Sequence, residues 1–348
     1  MKAAIVERPD VLAVRDIPQP QAGDYDALCE LLYGATCTGT DQHLIHGRFP
    51  WPVHYPTILG HESIGRVVAV GSKVRHLKVG DLVTRVGAPP PPGSGLDVNW
   101  GGYAEYGIAR DHWAMKEDGL PSEQWSGYRV NQVLPPDFDP AGATMMITWR
   151  ETLSYYTRMI HTPTVSKTLG ISVLVVGSGG NGLSYAAHAR NLGAEQVAVI
   201  GSAEREGVAR AVGATAYFDY RAGNMVERAA AARPQGYDVV IDAVGKAGQL
   251  DAALPLVAPG GIAGIYGIDD WGRCTLNPTS ARGTFTFYNG GYDEAETHVQ
   301  VVEMVQQGKL QAGHWLDLDH VYALDDIHQA FEALRERRMV KAVIRLHP

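Results

Sequence analysis

Two short stretches of this 348-residue chain carry residue types that do chemistry, at the spacing the chemistry needs. The first is Gly177-x-Gly179-x-x-Gly182, with Gly180 and Asn181 inside it, directly after the apolar run 172–176 and directly before the helical stretch 183–192. Glycines at those three places permit a tight turn, let backbone amides approach a pyrophosphate and bring a helix close to a strand, and the helix start favours negative charge. A dinucleotide is the ligand such a turn suits. The second stretch is Gly60-His61-Glu62, with Cys37 upstream in Ala35-Thr36-Cys37-Thr38-Gly39-Thr40-Asp41-Gln42-His43. Imidazole and thiolate from separated segments are the donors of a zinc site, which for catalysis keeps one position open. Glu62 follows His61 directly, and neighbours in an extended segment point to opposite sides, so it is expected to support the site or to exchange onto it.

These groups need elements to hold them. A glycine triplet alone is weak in a chain with 40 glycines, but here it joins an apolar strand to a helix, and a second strand follows at 196–200. The unit therefore has about the ~30 residues of a βαβ repeat, with Gly193 placed to end the helix. Strand and helix alternate from about residue 153 onward, which predicts a parallel sheet, doubly wound, with its ligand at the carboxyl ends of the strands. The first ~150 residues read differently: short apolar runs at 27–32, 64–70 and 81–86 are punctuated by glycine and proline, a β-rich texture. The fold class expected is thus α/β, in two domains, and the length already exceeds what one core usually serves. An amphipathic helix at 327–336 and a closing strand at 341–346 end the chain.

Composition narrows the partners. A net charge of −8 without a Lys/Arg cluster argues against nucleic acid or an anionic membrane. No stretch reaches the ~18 apolar residues of a membrane span. The N-terminus meets charge at Glu7 and Arg8 before a signal-length apolar core forms, and three cysteines give no disulfide framework. A cytoplasmic protein is expected. Cys29 and Cys274 read as small core residues.

The cofactor's identity turns on the end of the second strand, where an acid would bind the ribose 2′-hydroxyl of NAD. That place holds Gly201, followed by Ser202 and, nearby, Arg205, which can face a 2′-phosphate; Glu204 and Glu206 count against it. NADP is therefore expected over NAD.

The run GHE-x2-G-x5-G-x2-V, followed by Val79-Gly80-Asp81 and then by the glycine fingerprint, resembles the zinc-containing medium-chain alcohol dehydrogenases over almost the whole chain. The resemblance implies a GroES-like catalytic domain (1–151), a Rossmann domain (152–292), a C-terminal return to the catalytic domain (293–348) and an active site in the cleft between them. It implies a homo-oligomer, dimer or tetramer. By likeness to the polyol dehydrogenases it places a third ligand at Glu151 in Glu151-Thr152-Leu153-Ser154, completing Cys37, His61 and Glu151. It also implies a proton relay from Thr40 through the cofactor ribose to His43, a phosphate-side role for Tyr220, and a nicotinamide and ribose lining from Val244, Tyr266 and Gly267. One departure stands out: the family reads C-x-[ST]-D-x-H, and this chain has one residue more between Cys37 and Asp41. Either a bulge delivers Cys37 to the metal, or the slot falls on Thr38 and the site is degraded. The four-cysteine lobe that holds a structural zinc in many relatives is missing, so a single catalytic zinc is expected. The substrate implied is a small secondary alcohol or its ketone in a polyol, sugar or cyclitol, with Phe49, Trp51, Trp149 and Tyr155 as candidate walls and the stretch 116–129 as an insertion of open role. Two other readings remain: a zinc-free NADPH-dependent enoyl or quinone reductase, and a non-catalytic nucleotide-binding protein.

Overall fold

The computed structural model describes residues 1–162 and 170–347. The chain divides into two compact units, Met1–Ile147 with Gln311–Pro348, and Thr148–Leu310.

The first unit is built on the strand Asp26–Ala35, whose alternating sequence buries Ala27, Cys29 and Leu31 on one face. It pairs antiparallel with Ser63–Val70, with Tyr106–Arg110 and with the C-terminal strand Lys341–Arg345. These belong to a seven-stranded sheet that runs from Leu316–Ala323 at one edge to Val133–Leu134 at the other. A four-stranded sheet, Val11–Asp16, Lys2–Arg8, Thr57–Ile58 and Asp97–Val98, shares its core through Ile5, Ile58, Leu59, Val67 and Val83. Cys29 sits in that core, where burial pushes its thiol pKa up to about 12. Cys274 does not follow the expectation of a core residue: it is exposed, in a stretch after Val257–Ile265 that carries no strand to bury it. The stretch 116–129 folds onto its own unit as the short helix Ser122–Trp125 and the turn Ser126–Tyr128, with the Arg110 guanidinium 4.2 Å from the Tyr128 ring centre.

In the second unit six parallel strands lie in the order Ala216–Asp219, Gln196–Gly201, Ser172–Val176, Tyr237–Asp242, Val257–Ile265, Thr286–Tyr288. Numbered along the chain this is 3-2-1-4-5-6, the order that opens a crevice beside the carboxyl end of the first strand. All five residues of Ser172–Val176 are buried, as a central parallel strand requires. The helix Gly180–Asn191 follows it and ends at Gly193, which takes the positive φ of 89° that closes a helix. The helix Met145–Ile160 is pinned by Arg150, fully buried, whose Nη2 meets Glu294 Oε1 at 3.0 Å, and by the contact of Thr152 Oγ1 with His188 Nε2, also 3.0 Å. Among the described residues no helix is long and apolar enough to cross a membrane.

Candidate metal centre and dinucleotide cradle

Cys37, His61 and Glu62 are buried and offer ligand atoms that all lie within 4.8 Å of one another. The strand Asp26–Ala35 ends at Ala35, whose amide bonds the Glu62 carbonyl, so the two loops holding the ligands are tied together at 2.8 Å. The extra residue between Cys37 and Asp41 is absorbed in a turn at Thr38 and Gly39, with Thr38 exposed, and Thr40–Ile45 is a helix. Cys37, not Thr38, therefore stands with His61. His61 and Glu62 occupy a bend ahead of the strand Ser63–Val70, so strand alternation does not separate them; His61 Nε2 and Glu62 Oε1 are 3.7 Å apart.

Asp41 organises the cluster. Its Oδ1 accepts from His61 Nδ1 at 2.9 Å, while Oδ2 accepts from the Cys37 amide at 2.9 Å and from the Tyr103 hydroxyl at 2.6 Å. Because a carboxylate only accepts, Nδ1 carries the proton, and Nε2 is the atom a metal would take, displacing any proton there. Burial opposes charge on His61, yet Asp41 and Cys37 outweigh it and raise its pKa well above the usual value. On the far side Lys341, also buried, donates to Glu62 Oε2 at 2.5 Å and to the Thr36 carbonyl at 3.1 Å. Cys37, Asp41, His61, Glu62 and Lys341 thus gather in one buried site, where charge has to be compensated. The soft-plus-nitrogen donor set fits zinc.

Thr40 opens the helix Thr40–Ile45 and His43 lies within its first turn, where His43 Nδ1 meets the Gly39 carbonyl at 2.7 Å. Around His61 gathers an aromatic group: the Trp100 ring centre is 5.3 Å from the imidazole, Phe49 is 6.2 Å from Trp100, and Trp51 is 5.1 Å from Phe49. Trp100 and Trp51 are about half exposed, at 44% and 48%. Trp149 and Tyr155 are instead buried inside the second unit. Asp41, Trp100 and Lys341 were not singled out from the sequence; only Asp41 lay inside a motif that could have signalled it.

The second unit supplies the cradle. A Cβ on Gly182 would overlap the Gly177 carbonyl, so the glycine lets the helix start press on the turn. Gly179 precedes the helix and Gly180 and Asn181 begin it. Beside the turn, Asp242 Oδ1 accepts the amides of Val244 and Gly245, both at 2.9 Å, which fixes the loop after the fourth strand; burial raises the Asp242 pKa. Tyr266 and Gly267 follow the strand Val257–Ile265, and the Tyr266 hydroxyl donates to Glu151 Oε2 at 3.1 Å. Glu151 is itself buried, on the helix Met145–Ile160. At the end of the second strand, a Cβ on Gly201 would overlap Ser178 Oγ and the Tyr217 hydroxyl, so no acid fits there. Ser202 is buried behind it, and Arg205 closes the turn Ala203–Arg205. Glu206 is engaged by Arg210 on its own helix at 3.1 Å, and Glu204 by Arg221 at 2.7 Å. Tyr220 is exposed, next to Arg221.

Comparison with known proteins agrees with both halves. Residues 23–121 match the pattern of the alcohol dehydrogenase GroES-like domain, and residues 180–307 that of the zinc-binding dehydrogenase. The chain is 27% identical to an L-threonine 3-dehydrogenase of Aeromonas salmonicida (strain A449), over 94% of each chain. It is equally 27% identical to an L-threonine 3-dehydrogenase of Anaeromyxobacter sp. (strain K), covering 94% of this chain and 93% of that protein. Among solved structures, the alcohol dehydrogenase TADH from Thermus sp. ATN1 superposes with a TM-score of 0.78 at 25% identity, over 99% of both chains. The expected fold class, a GroES-like domain with a Rossmann domain, therefore holds, and the chain belongs to the zinc-type medium-chain dehydrogenase/reductase family, the alcohol dehydrogenases.

Proposed function

We propose that this protein is a zinc-dependent, NADP-preferring oxidoreductase that moves a hydride between the nicotinamide and a secondary alcohol or its ketone, of the polyol, sugar or cyclitol class. The observation that carries the reading is the buried convergence of Cys37, His61 and Glu62 with Asp41 behind the imidazole. It favours a metalloenzyme over a zinc-free reductase. Zinc, when bound, supplies Lewis acidity, lowering the pKa of a substrate hydroxyl or polarising a carbonyl.

The chain's own residues do the rest. Cys37 and His61 would hold the ion, with Glu62 restrained by Lys341 and able to exchange onto it. Glu151 is the remaining ligand in this reading, on the strength of the family resemblance, and Tyr266 donates to its Oε2. In oxidation the Thr40 hydroxyl takes the substrate proton and passes it by way of the cofactor ribose toward His43. The Gly39 carbonyl accepts from His43 Nδ1, which leaves Nε2 as the ring atom of the relay. NADP is supported by the glycine at 201 and by the pairing of Glu206 with Arg210. The aromatic group at Phe49, Trp51 and Trp100 suits the C–H faces of a polyol ring. Relatives named for oxidation at carbon 3 of threonine share a secondary alcohol as reacting group. Three free cysteines, none paired, suit the reducing cytoplasm.

Metal analysis of the purified chain beside its Cys37→Ser variant tests the reading. We expect one zinc per chain in the parent, loss of that zinc in the variant, and loss of alcohol oxidation with it. A parent chain that stays metal-free after reconstitution with zinc would overturn it.

A further inference from the structure

We propose that Glu204 is a resident stand-in for the adenosine 2′-phosphate, and that Arg221 is the cation that passes from Glu204 to that phosphate when the cofactor binds. The inference rests on the NADP reading and names the residues that enforce it.

The strand register places Arg221 there. Gly201 faces Asp219 across the parallel pair, the Tyr220 amide bonds the Gly201 carbonyl at 3.0 Å, and the Arg221 amide bonds Asp219 Oδ1 at 3.0 Å. The chain thus turns back over the end of the second strand, where the adenosine ribose of a dinucleotide lies. Arg221 Nη1 donates to Glu204 Oε1 at 2.7 Å and its Nε to the Tyr220 hydroxyl at 3.2 Å, with its guanidinium carbon 5.4 Å from the Tyr220 ring centre. Glu204 in turn accepts from its own amide, from Arg221 and from the Ser202 hydroxyl, which together hold its carboxyl down at about 2. One guanidinium, one hydroxyl and one amide already converge on an anion, and these are the donors a phosphate monoester takes.

The pair stands in water, with side-chain exposures of 45% for Arg221 and 54% for Glu204. Exposed ion pairs of this kind contribute little, so releasing Glu204 costs little, while a dianionic phosphate offers the guanidinium a bidentate partner. Glu204 left behind repels the phosphate. It therefore limits how strongly NADPH is preferred, and removing its charge raises the preference. Sequence spacing pointed to Arg205 for this task, and Arg221 takes it in the present proposal.

The test is a fluorescence titration of the full chain with NADPH and with NADH at fixed ionic strength, comparing the parent, Arg221→Met and Glu204→Gln. We expect the parent to bind NADPH more tightly than NADH. Arg221→Met weakens NADPH by about 10- to 100-fold and leaves NADH within about twofold, which also shows that the variant is folded. Glu204→Gln tightens NADPH several-fold without moving NADH. If the parent prefers NADPH and Arg221→Met keeps the same preference, the inference fails while the NADP reading survives. If the parent prefers NADH, the reading itself fails, and Glu204 becomes the acceptor for the ribose hydroxyls.

Discussion

Lys341 shows what a single residue does in the metal centre and why the sequence hides it. Its ammonium is 3% exposed and its partner Glu62 2% exposed. Removing one member of a buried ion pair leaves the other charge stranded, a loss of about 3–5 kcal/mol. Lys341→Met should therefore lower the unfolding free energy of the metal-free chain by an amount in that range, read as a lower urea midpoint at unchanged slope, and the double variant with Glu62→Gln should recover most of it. A single variant as stable as its parent would show that the pair carries no weight. Cys37, His61 and Glu62 were legible because a contiguous motif or a reactive residue type marks each. Lys341 lies 279 residues from Glu62 in sequence, and a lysine at the start of a strand normally reads as solvated. Trp100 was hidden for the same reason: a lone aromatic in a glycine-rich loop carries no period.

At the scale of elements, the parallel strands were readable from their unbroken β-branched runs, and the first of them from the glycine fingerprint that follows it. Their connections were less so: after the second strand a 3-10 turn, Ala203–Arg205, precedes the helix Glu206–Ala211. The packing between helices was not legible at all. His188, on the helix Gly180–Asn191, is fully buried against Thr152 of the helix Met145–Ile160. Burial depresses its pKa to about 3, against 6.5 for the free side chain. The unfolded chain thus binds this proton more readily than the folded one. Stability from neutral His188 is whole above about pH 6.5 and declines as pH falls from 6.5 toward 3, by about 1.4 kcal/mol per pH unit. Chemical unfolding at pH 7 and pH 5 should show this loss, and His188→Gln should lose about 2 kcal/mol less between those two values. Equal losses in both proteins would mean that the imidazole is not buried neutral.

For the whole molecule the informative fact is which segments belong together. The C-terminal segment Gln311–Pro348 belongs with Met1–Ile147, while Thr148–Leu310 forms its own unit with its own core. The sequence showed the change of texture near residue 150 but gave only family likeness for the return, since one closing strand carries no mark of its partner. The structure supplies that partner: Lys341–Arg345 pairs with Asp26–Ala35, next to the strand that begins after His61 and Glu62. A ligand stabilises what it binds by RT ln(1 + [L]/Kd), about 2.7 kcal/mol at a hundredfold excess over Kd, and this protects the cooperative unit that must open to release it. Zinc should therefore slow hydrogen exchange in Asp26–Ala35, Ser63–Val70 and Lys341–Arg345 together, by up to about a hundredfold. NADPH should instead slow Ser172–Val176 and Gln196–Gly201. Exchange followed by mass spectrometry on chelated, zinc-loaded and NADPH-loaded protein reads both effects at once. If Lys341–Arg345 ignores zinc while Asp26–Ala35 responds, the C-terminal strand is not part of the unit that holds the metal, and the place given to Lys341 beside Glu62 falls with it.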